Sequence, residues 1–260
     1  MSKISVAFGI TEDWLEYCSV VMSSILSNTQ NDLKFYILSD ISEDVFFEKF
    51  NNIKTKLSKI RPFNIEYLKM NNADFDGVVH DKRVGISAYY RLKLPSILKE
   101  DRVIYLDSDI VVTDNISKLW NYDIEDYLIG GVEDKYSSLM SWHADLEDGD
   151  IYINSGVLLM NLKKFRSENI EEKIFEKLRE KDNLYSDQDV LNNICRNRIL
   201  YLPLKYNLML TADDENSFPD KKDEYNEALA SPFILHYSIK PWALPVEYSE
   251  YWRKYRDILL

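Results

Sequence analysis

Short apolar runs alternate with longer stretches of helical periodicity through the first half of the chain, and that alternation limits the fold more than any other feature. "ISVAFGI" reads as a buried strand, and "DWLEYCSVVMSSIL" after it spaces Trp14, Cys18, Val21 and Ile25 along one helical face. "LKFYIL", "SEDVFFEKFNNIKTKL" and "FNIEYL" continue as strand, helix and strand. "ISAYYRLKLPSIL" is expected to be helical with a bend or boundary near Pro95, and "RVIYL" is the next strand. Parallel neighbours need a long crossover, and a helix supplies it, so this order predicts an α/β fold built on a mostly parallel sheet. After residue 110 the order loosens. "YLIGGV" and "GVLLMNL" look like strands, "KKFRSENIEEKIFEKLRE" and "SDQDVLNNICRN" like helices, and "EYSEYWRKYRDIL" like a last helix. No repeat or linker interrupts the chain, so one domain over residues 1–260 with a small α+β C-terminal part is expected.

In open α/β sheets ligands bind beyond the carboxyl ends of the strands. "RVIYLDSDIVV" delivers Asp107 and Asp109 to such an end, with apolar residues on both sides. Other acid–x–acid triplets occur at Asp74–Asp76, Asp148–Asp150 and Asp187–Asp189, the first two in polar or glycine-containing surroundings. In an extended chain residues i and i+2 point the same way, so the Asp107 and Asp109 carboxylates converge and their repulsion must be offset. A divalent cation does this well. A turn between strands carrying incidental acids is the alternative.

His80 and His143 lie in polar stretches and read as surface residues. His236 ends the apolar run "FIL", where a histidine is more often structural than a ligand. Joined to the two aspartates, it would make a mixed oxygen and nitrogen set that favours manganese over magnesium. "HYSIKPW" then places Lys240 nearby as a phosphate contact. Ser186 and Asp189 have the spacing of a capping box, which leaves Asp187 and Gln188 unexplained. Asn154, Ser155 and Gly156 interrupt a strand, where a glycine either admits a ligand or marks a bulge.

The balance of 32 basic against 44 acidic residues, net −12, makes the chain a poor candidate for gripping nucleic acid. Local cations or a metal can still hold a phosphate. Two cysteines without CxxC spacing argue against a disulfide framework or a zinc site and fit a reducing compartment. There is no GxGxxG, Walker or GxSxG sequence. "MSKISVAFGI" lacks a signal-peptide core and no apolar stretch approaches a membrane span, so a cytoplasmic protein is expected. The aromatic and basic "YWRKYRDILL" is the one segment suited to peripheral contact with the inner face of a membrane, although a packed helix is the stronger reading.

"AYYRLKLP", "VIYLDSDIVV", "YINSGVLLMNLKKFR", "YSDQDVLN" and "HYSIKPW" stand in the order and approximate spacing of glycosyltransferase family 8. The chain resembles that family, which includes bacterial lipopolysaccharide galactosyl- and glucosyltransferases and is related to glycogenin, from residue 4 to about residue 242. The resemblance implies a GT-A fold with a Rossmann-like mixed sheet, residues 1–112 forming the nucleotide-binding half and 113–260 the sugar and acceptor half. It implies a UDP-sugar donor, manganese or magnesium, and transfer of glucose or galactose with retention to a glycan of lipopolysaccharide, capsule or glycoprotein.

By the same resemblance, Asp107 and Asp109 are the metal-binding pair, with Ser108 between them among the donor contacts and His236 as third ligand. Arg91 would contact the donor sugar and phosphate region. Asp134, Asn154, Ser155 and Gly156 match the sugar and acceptor segment, and Asp187 and Gln188 the pair beneath the donor sugar. Ile10, Thr11 and Asp13 fall where the family holds uracil and ribose, with Thr11 in the place of a common acid. "HYSIKPW" is shorter than the family's usual spacer and lacks its glycine, which bears on Lys240 as a diphosphate contact. Gln188 is a poor nucleophile, leaving front-face attack or a nucleophilic Asp187. The competing classes are a non-catalytic nucleotide-sugar or metal-binding protein on this scaffold, and a sugar nucleotidyltransferase. The latter typically has a Gly-rich N-terminal loop, where "VAFGITEDW" has one glycine.

Overall fold

The computed structural model describes residues 3–78, 85–180, 186–210 and 218–260. His80 lies outside the described residues. Strands β1 (Ile4–Gly9), β2 (Leu33–Ser39) and β3 (Asn64–Lys69) are linked by α1 (Leu15–Asn28) and α2 (Glu43–Ile60), as the alternating pattern requires. After β4 (Val103–Leu106) and β5 (Ile110–Val112) come β6 (Ile129–Glu133), β7 (Ile153–Met160) and β8 (Ile199–Leu202). β9 (Leu208–Leu210) and β10 (Ile234–Tyr237) complete the strands.

A seven-stranded sheet runs in the order β3-β2-β1-β4-β7-β6-β8. Only β7 opposes its neighbours: it pairs antiparallel with β4 and β6, while every other pair in this sheet is parallel. The central strands of the sheet are buried on both faces, and the edge strand β3 is partly exposed. Val6 and Phe8 of β1 pack with Cys18, Val21 and Ile25 of α1 and with Phe46 and Phe50 of α2. Ala7, between them in sequence, joins Tyr105, Leu158 and Val190 on the opposite side, as the twofold alternation of a strand demands. A second sheet, β5-β10-β9, pairs β10 antiparallel with β5 and parallel with β9.

Three local expectations are corrected, and the boundary near Pro95 is found. Asp107, Ser108 and Asp109 lie outside the strands, in the bend where the chain leaves β4 and enters β5 of the other sheet. "ISAYYRLKLPSIL" is a 3-10 helix over Ile86–Lys93 followed by a helical turn, Leu94–Ile97, whose first turn contains Pro95; there its missing N–H costs nothing, and the expected boundary falls at this place. "KKFRSENIEEKIFEKLRE" forms two helices, Leu162–Ser167 and Ile170–Leu178, broken at Asn169 in the left-handed region at φ 53°. Asn154, Ser155 and Gly156 begin β7 rather than interrupt it, and the pairing is irregular at that place: β6 passes from Gly130 to Val132 while β7 passes from Leu159 to Asn154.

The C-terminal helix Ser249–Asp257 buries Trp252 and Tyr255, the packed arrangement expected of its aromatics. Among the described residues no helix is long and apolar enough to cross a membrane. Cys18 and Cys195 are free and buried, and His143 is exposed, its ring 3.7 Å from that of Trp142.

Candidate active site

The carboxyl ends of β1, β4 and β6 open on one edge of the large sheet, and because β7 runs the other way its amino end opens there too. Asp107 leaves β4 while still tied to β7, its N–H donating to the Gly156 carbonyl at 2.8 Å. Two residues later the Asp109 carbonyl accepts from the Tyr237 N–H at 2.9 Å, which ties the bend to β10. The bend thus carries Asp109 toward His236, whose Nε2 is 3.2 Å from Oδ1. Asp107, Asp109 and His236 each offer a ligand atom within 4.8 Å of the others. The convergence expected of the two carboxylates is present, but the bend produces it and not an extended strand.

Gly156 forms the floor. A Cβ there would lie 2.5 Å from His236 Cε1 and 2.8 Å from Asp107 Oδ2, so the absent side chain lets the ring and carboxylate meet over the strand.

The set suits a divalent cation. Asp109 is 8% exposed, and its buried Oδ1 meets no aligned hydrogen-bond donor among the described residues, an arrangement that is costly unless a cation takes the lone pairs. Lys240 Nζ binds the other oxygen, Oδ2, and donates to the Tyr237 carbonyl at 3.0 Å. Burial alone would raise the Asp109 carboxyl, but the charges of His236 and Lys240 outweigh it and hold it well below the usual range. Burial likewise would lower His236, and Asp109 reverses the direction.

Arg91, 3% exposed, sits beside this group and orders the next. Its Nη2 is 2.8 Å from Asp107 Oδ1, its Nε 3.2 Å from Asp187 Oδ2, and its Nη1 binds the Ser155 carbonyl and, at 3.0 Å, the Ser155 hydroxyl. The guanidinium lies over the Tyr105 ring, 4.2 Å from its centroid. Burial opposes its charge, yet Asp107, Tyr105 and Asp187 keep it protonated. Burial pushes the Asp187 carboxyl up, Arg91 partly opposes this, and the charge of Asp107 adds to it.

Asp187 and Gln188 open the helix Asp187–Cys195, whose Ser186 cap and Asp189 form the expected capping box. Gln188 Oε1 accepts the Ser155 N–H at 2.9 Å and its Nε2 donates to Asp134 Oδ2 at 3.3 Å. Asp134 also takes the Asn154 amide at 3.0 Å. Arg91, Asp107, Asp134, Asn154, Ser155, Asp187 and Gln188 are therefore one connected polar cluster.

The N-terminal group is placed differently. Ile10 is 1% exposed, so its side chain belongs to the core, and its N–H donates to the Leu38 carbonyl at 2.9 Å. Thr11 is half-buried and caps a short 3-10 turn, Glu12–Trp14, which contains the exposed Asp13 and whose Trp14 ring lies 5.8 Å from Lys240 Nζ. Ser108 is buried beside the Cys18 thiol. Sequence reasoning missed three supports. The Tyr152 hydroxyl donates to Asp189 at 2.6 Å, Asn192 brackets the Ile153 main chain with bonds of 2.7 and 2.8 Å, and buried Asn207 lies against His236. None stands in a spacing pattern with the acids.

The family model for Glycosyl transferase family 8 matches residues 5–244. The chain belongs to this family. It is 30% identical over 251 residues to a lipopolysaccharide 1,2-glucosyltransferase of Escherichia coli K12, a match over 92% of this chain and 72% of that protein. It is 27% identical to glycosyltransferase GlyB of Streptococcus pneumoniae serotype 4, over 94% of this chain and 59% of that one. The galactosyltransferase LgtC, solved with donor and acceptor sugar analogs, superposes with a TM-score of 0.81 at 25% identity, covering 98% of this chain and 95% of LgtC. The bifunctional glycosyltransferase WbbM superposes with a TM-score of 0.80 at 20% identity over 98% of this chain and 50% of that one. This family 8 chain has the GT-A fold, a mixed seven-stranded sheet flanked by helices.

Proposed function

We propose that this family 8 chain is a retaining, metal-dependent hexosyltransferase that moves glucose or galactose from a UDP-sugar to a glycan acceptor. The observation that carries the reading is the convergence of Asp107, Asp109 and His236 at the strand ends, beside the Arg91–Asp187–Gln188 cluster. The E. coli relative is named for glucosyl transfer to lipopolysaccharide and LgtC for galactosyl transfer, which supports a hexose donor and a lipopolysaccharide sugar as acceptor, ahead of a capsule or glycoprotein sugar. Residues 1–260 act as one domain in this reading, with 1–112 carrying the nucleotide and 113–260 the sugar and acceptor.

Asp107, Asp109 and His236 would hold the ion, and two hard oxygens with one imidazole suit manganese better than magnesium. Bound there, the ion supplies Lewis acidity to the diphosphate as negative charge grows on the leaving oxygen. Lys240 adds a second positive charge on the same side. The main chain at Ile10, with Thr11, Asp13 and Ser108, takes the nucleoside end. Asp134, Asn154 and Gly156 face the sugar and acceptor, where holding a hydroxyl against the anomeric carbon is the chain's main contribution. Arg91 fixes Asp107 and Asp187 in one frame.

Front-face attack is the favoured route to retention. Its support is that Asp187 is already engaged by Arg91 and Ser155, and that both ends of the Gln188 amide are bonded. A trapped glycosyl adduct on Asp187 would overturn it.

Calorimetric titration of UDP with manganese, and again with chelator, tests the donor site. Binding that requires manganese and is lost in Asp109→Ala is expected. Binding indifferent to the metal sinks the reading, and manganese-dependent UDP binding without transfer or donor hydrolysis would favour a non-catalytic binding protein.

A further inference from the structure

Asn207 is 3% exposed and touches two groups of the site. Its Nδ2 lies 2.9 Å from Asn154 Oδ1, and its Oδ1 lies 3.0 Å from His236 Nδ1. Amide and imidazole orientations follow from the network around them, and this one ends on a group that has no freedom. The main-chain N–H of Gly156 can only donate, and it points at Asn154 Oδ1 at 3.0 Å. The oxygen of Asn154 therefore faces Gly156, and its NH2 faces the carboxylate oxygen Asp134 Oδ2 at 3.0 Å. The group that Asn207 turns toward that oxygen must be its own NH2, so its oxygen faces the imidazole. An oxygen there requires the proton on Nδ1. When the ring is neutral it carries one N–H, so Nε2, 3.2 Å from Asp109 Oδ1, is left with the lone pair.

We infer that Asn207 is a positioning residue that holds His236 in the Nδ1–H form, so that Nε2 is the nitrogen presented to the ion; the metal half of this statement rests on the function proposed above. The chain of orientation starts at the Gly156 main chain and passes through two amides. It also couples the ion-binding edge to the sugar edge, because the Asn154 that orients Asn207 is the one that binds Asp134. Partners that orient a ligating histidine in this way raise its basicity and restrict its ring, and their loss typically weakens metal affinity about 10- to 100-fold.

The test has two readouts. In metal-free protein labelled with nitrogen-15 on histidine, at alkaline pH, the two ring nitrogens are distinguished by chemical shift, and His80→Gln and His143→Gln variants assign the remaining ring. Protonated Nδ1 and bare Nε2 are expected in the wild-type chain. Calorimetric titration with manganese alone is then compared across Asn207→Leu and Asn207→Asp. Leucine removes the acceptor, and mixed tautomers with affinity weakened about 10- to 100-fold are expected. Aspartate keeps the acceptor but loses the donor to Asn154, so a lower unfolding temperature with metal affinity retained is expected. A purely structural role would weaken both properties together in both variants.

A proton on Nε2 in the wild-type chain overturns the inference with no variant needed, and so does an unchanged manganese affinity in Asn207→Leu. Failure of the wild-type chain to bind manganese overturns the metal reading instead, while the tautomer measurement still decides what Asn207 does.

Discussion

Gly156 separates the chemistry of the site from the stability of the chain. An added Cβ would press on His236 Cε1 and Asp107 Oδ2, both of them proposed ion ligands or parts of one, and on Asn154 Oδ1 at 3.1 Å. Gly156→Ala is therefore expected to cost about 1–3 kcal/mol of stability, the usual range for an overfilled interior. Manganese and UDP affinity are expected to fall much further than that loss would explain, because ring and carboxylate must both move. Urea unfolding and calorimetry on the same sample check this, and full retention of metal affinity would contradict it. At this scale the sequence was readable where chemistry-bearing residues stood in a pattern. Asp107 and Asp109 share a triplet, and Ser186 and Asp189 share the spacing of a cap. Asn207 stands alone in "LKYNLML", and an amide that acts by orienting a neighbour leaves no trace in spacing.

The helix Asp187–Cys195 places two of the proposed catalytic residues in its first turn, so its cap acts on the site. Ser186 Oγ accepts the Asp189 N–H at 3.1 Å, Asp189 Oδ2 accepts the Ser186 N–H at 2.9 Å, and Asp189 Oδ1 takes the Tyr152 hydroxyl at 2.6 Å. Cap and phenol together lock the helix to the segment that enters β7. Ser186→Ala is expected to cost about 1 kcal/mol in urea unfolding. Donor turnover is expected to fall while metal-dependent UDP affinity holds, since that affinity belongs to the strand ends. An equal loss of both would show that the cap only holds the fold. The elements easiest to read were of this kind, with long periodic faces or a cap. β5 and β9, three residues each, were beyond reading as members of one sheet, because a period needs more length than that and their partner β10 comes from far along the chain. The reversal of β7 was equally silent, since a fully buried strand is apolar whichever way it runs.

Aromatic side chains from the first and last helical parts of the fold meet beside Lys240. Trp242, just past Lys240, stacks on Tyr17 of α1 with centroids 3.9 Å apart and planes 14° apart, and it also meets Trp14 at 5.8 Å and Trp252 of the C-terminal helix at 5.6 Å. This aromatic group backs the turn from which Lys240 reaches Asp109, so tail packing and ion site are linked in one body. Trp252 is 3% exposed and lies in the core shared with α1. Trp252→Ala is expected to destabilise the chain by about 3–5 kcal/mol, the usual cost of emptying a buried tryptophan site. Manganese-dependent UDP affinity should weaken as the turn loses its backing, whereas manganese binding alone, held by Asp107, Asp109 and His236, should change little. Comparing the two titrations at a temperature where the variant remains folded separates these effects. A loss confined to UDP supports a tail that positions Lys240 against the diphosphate, and an equal loss of manganese would mean that the tail holds the β10 ligand as well.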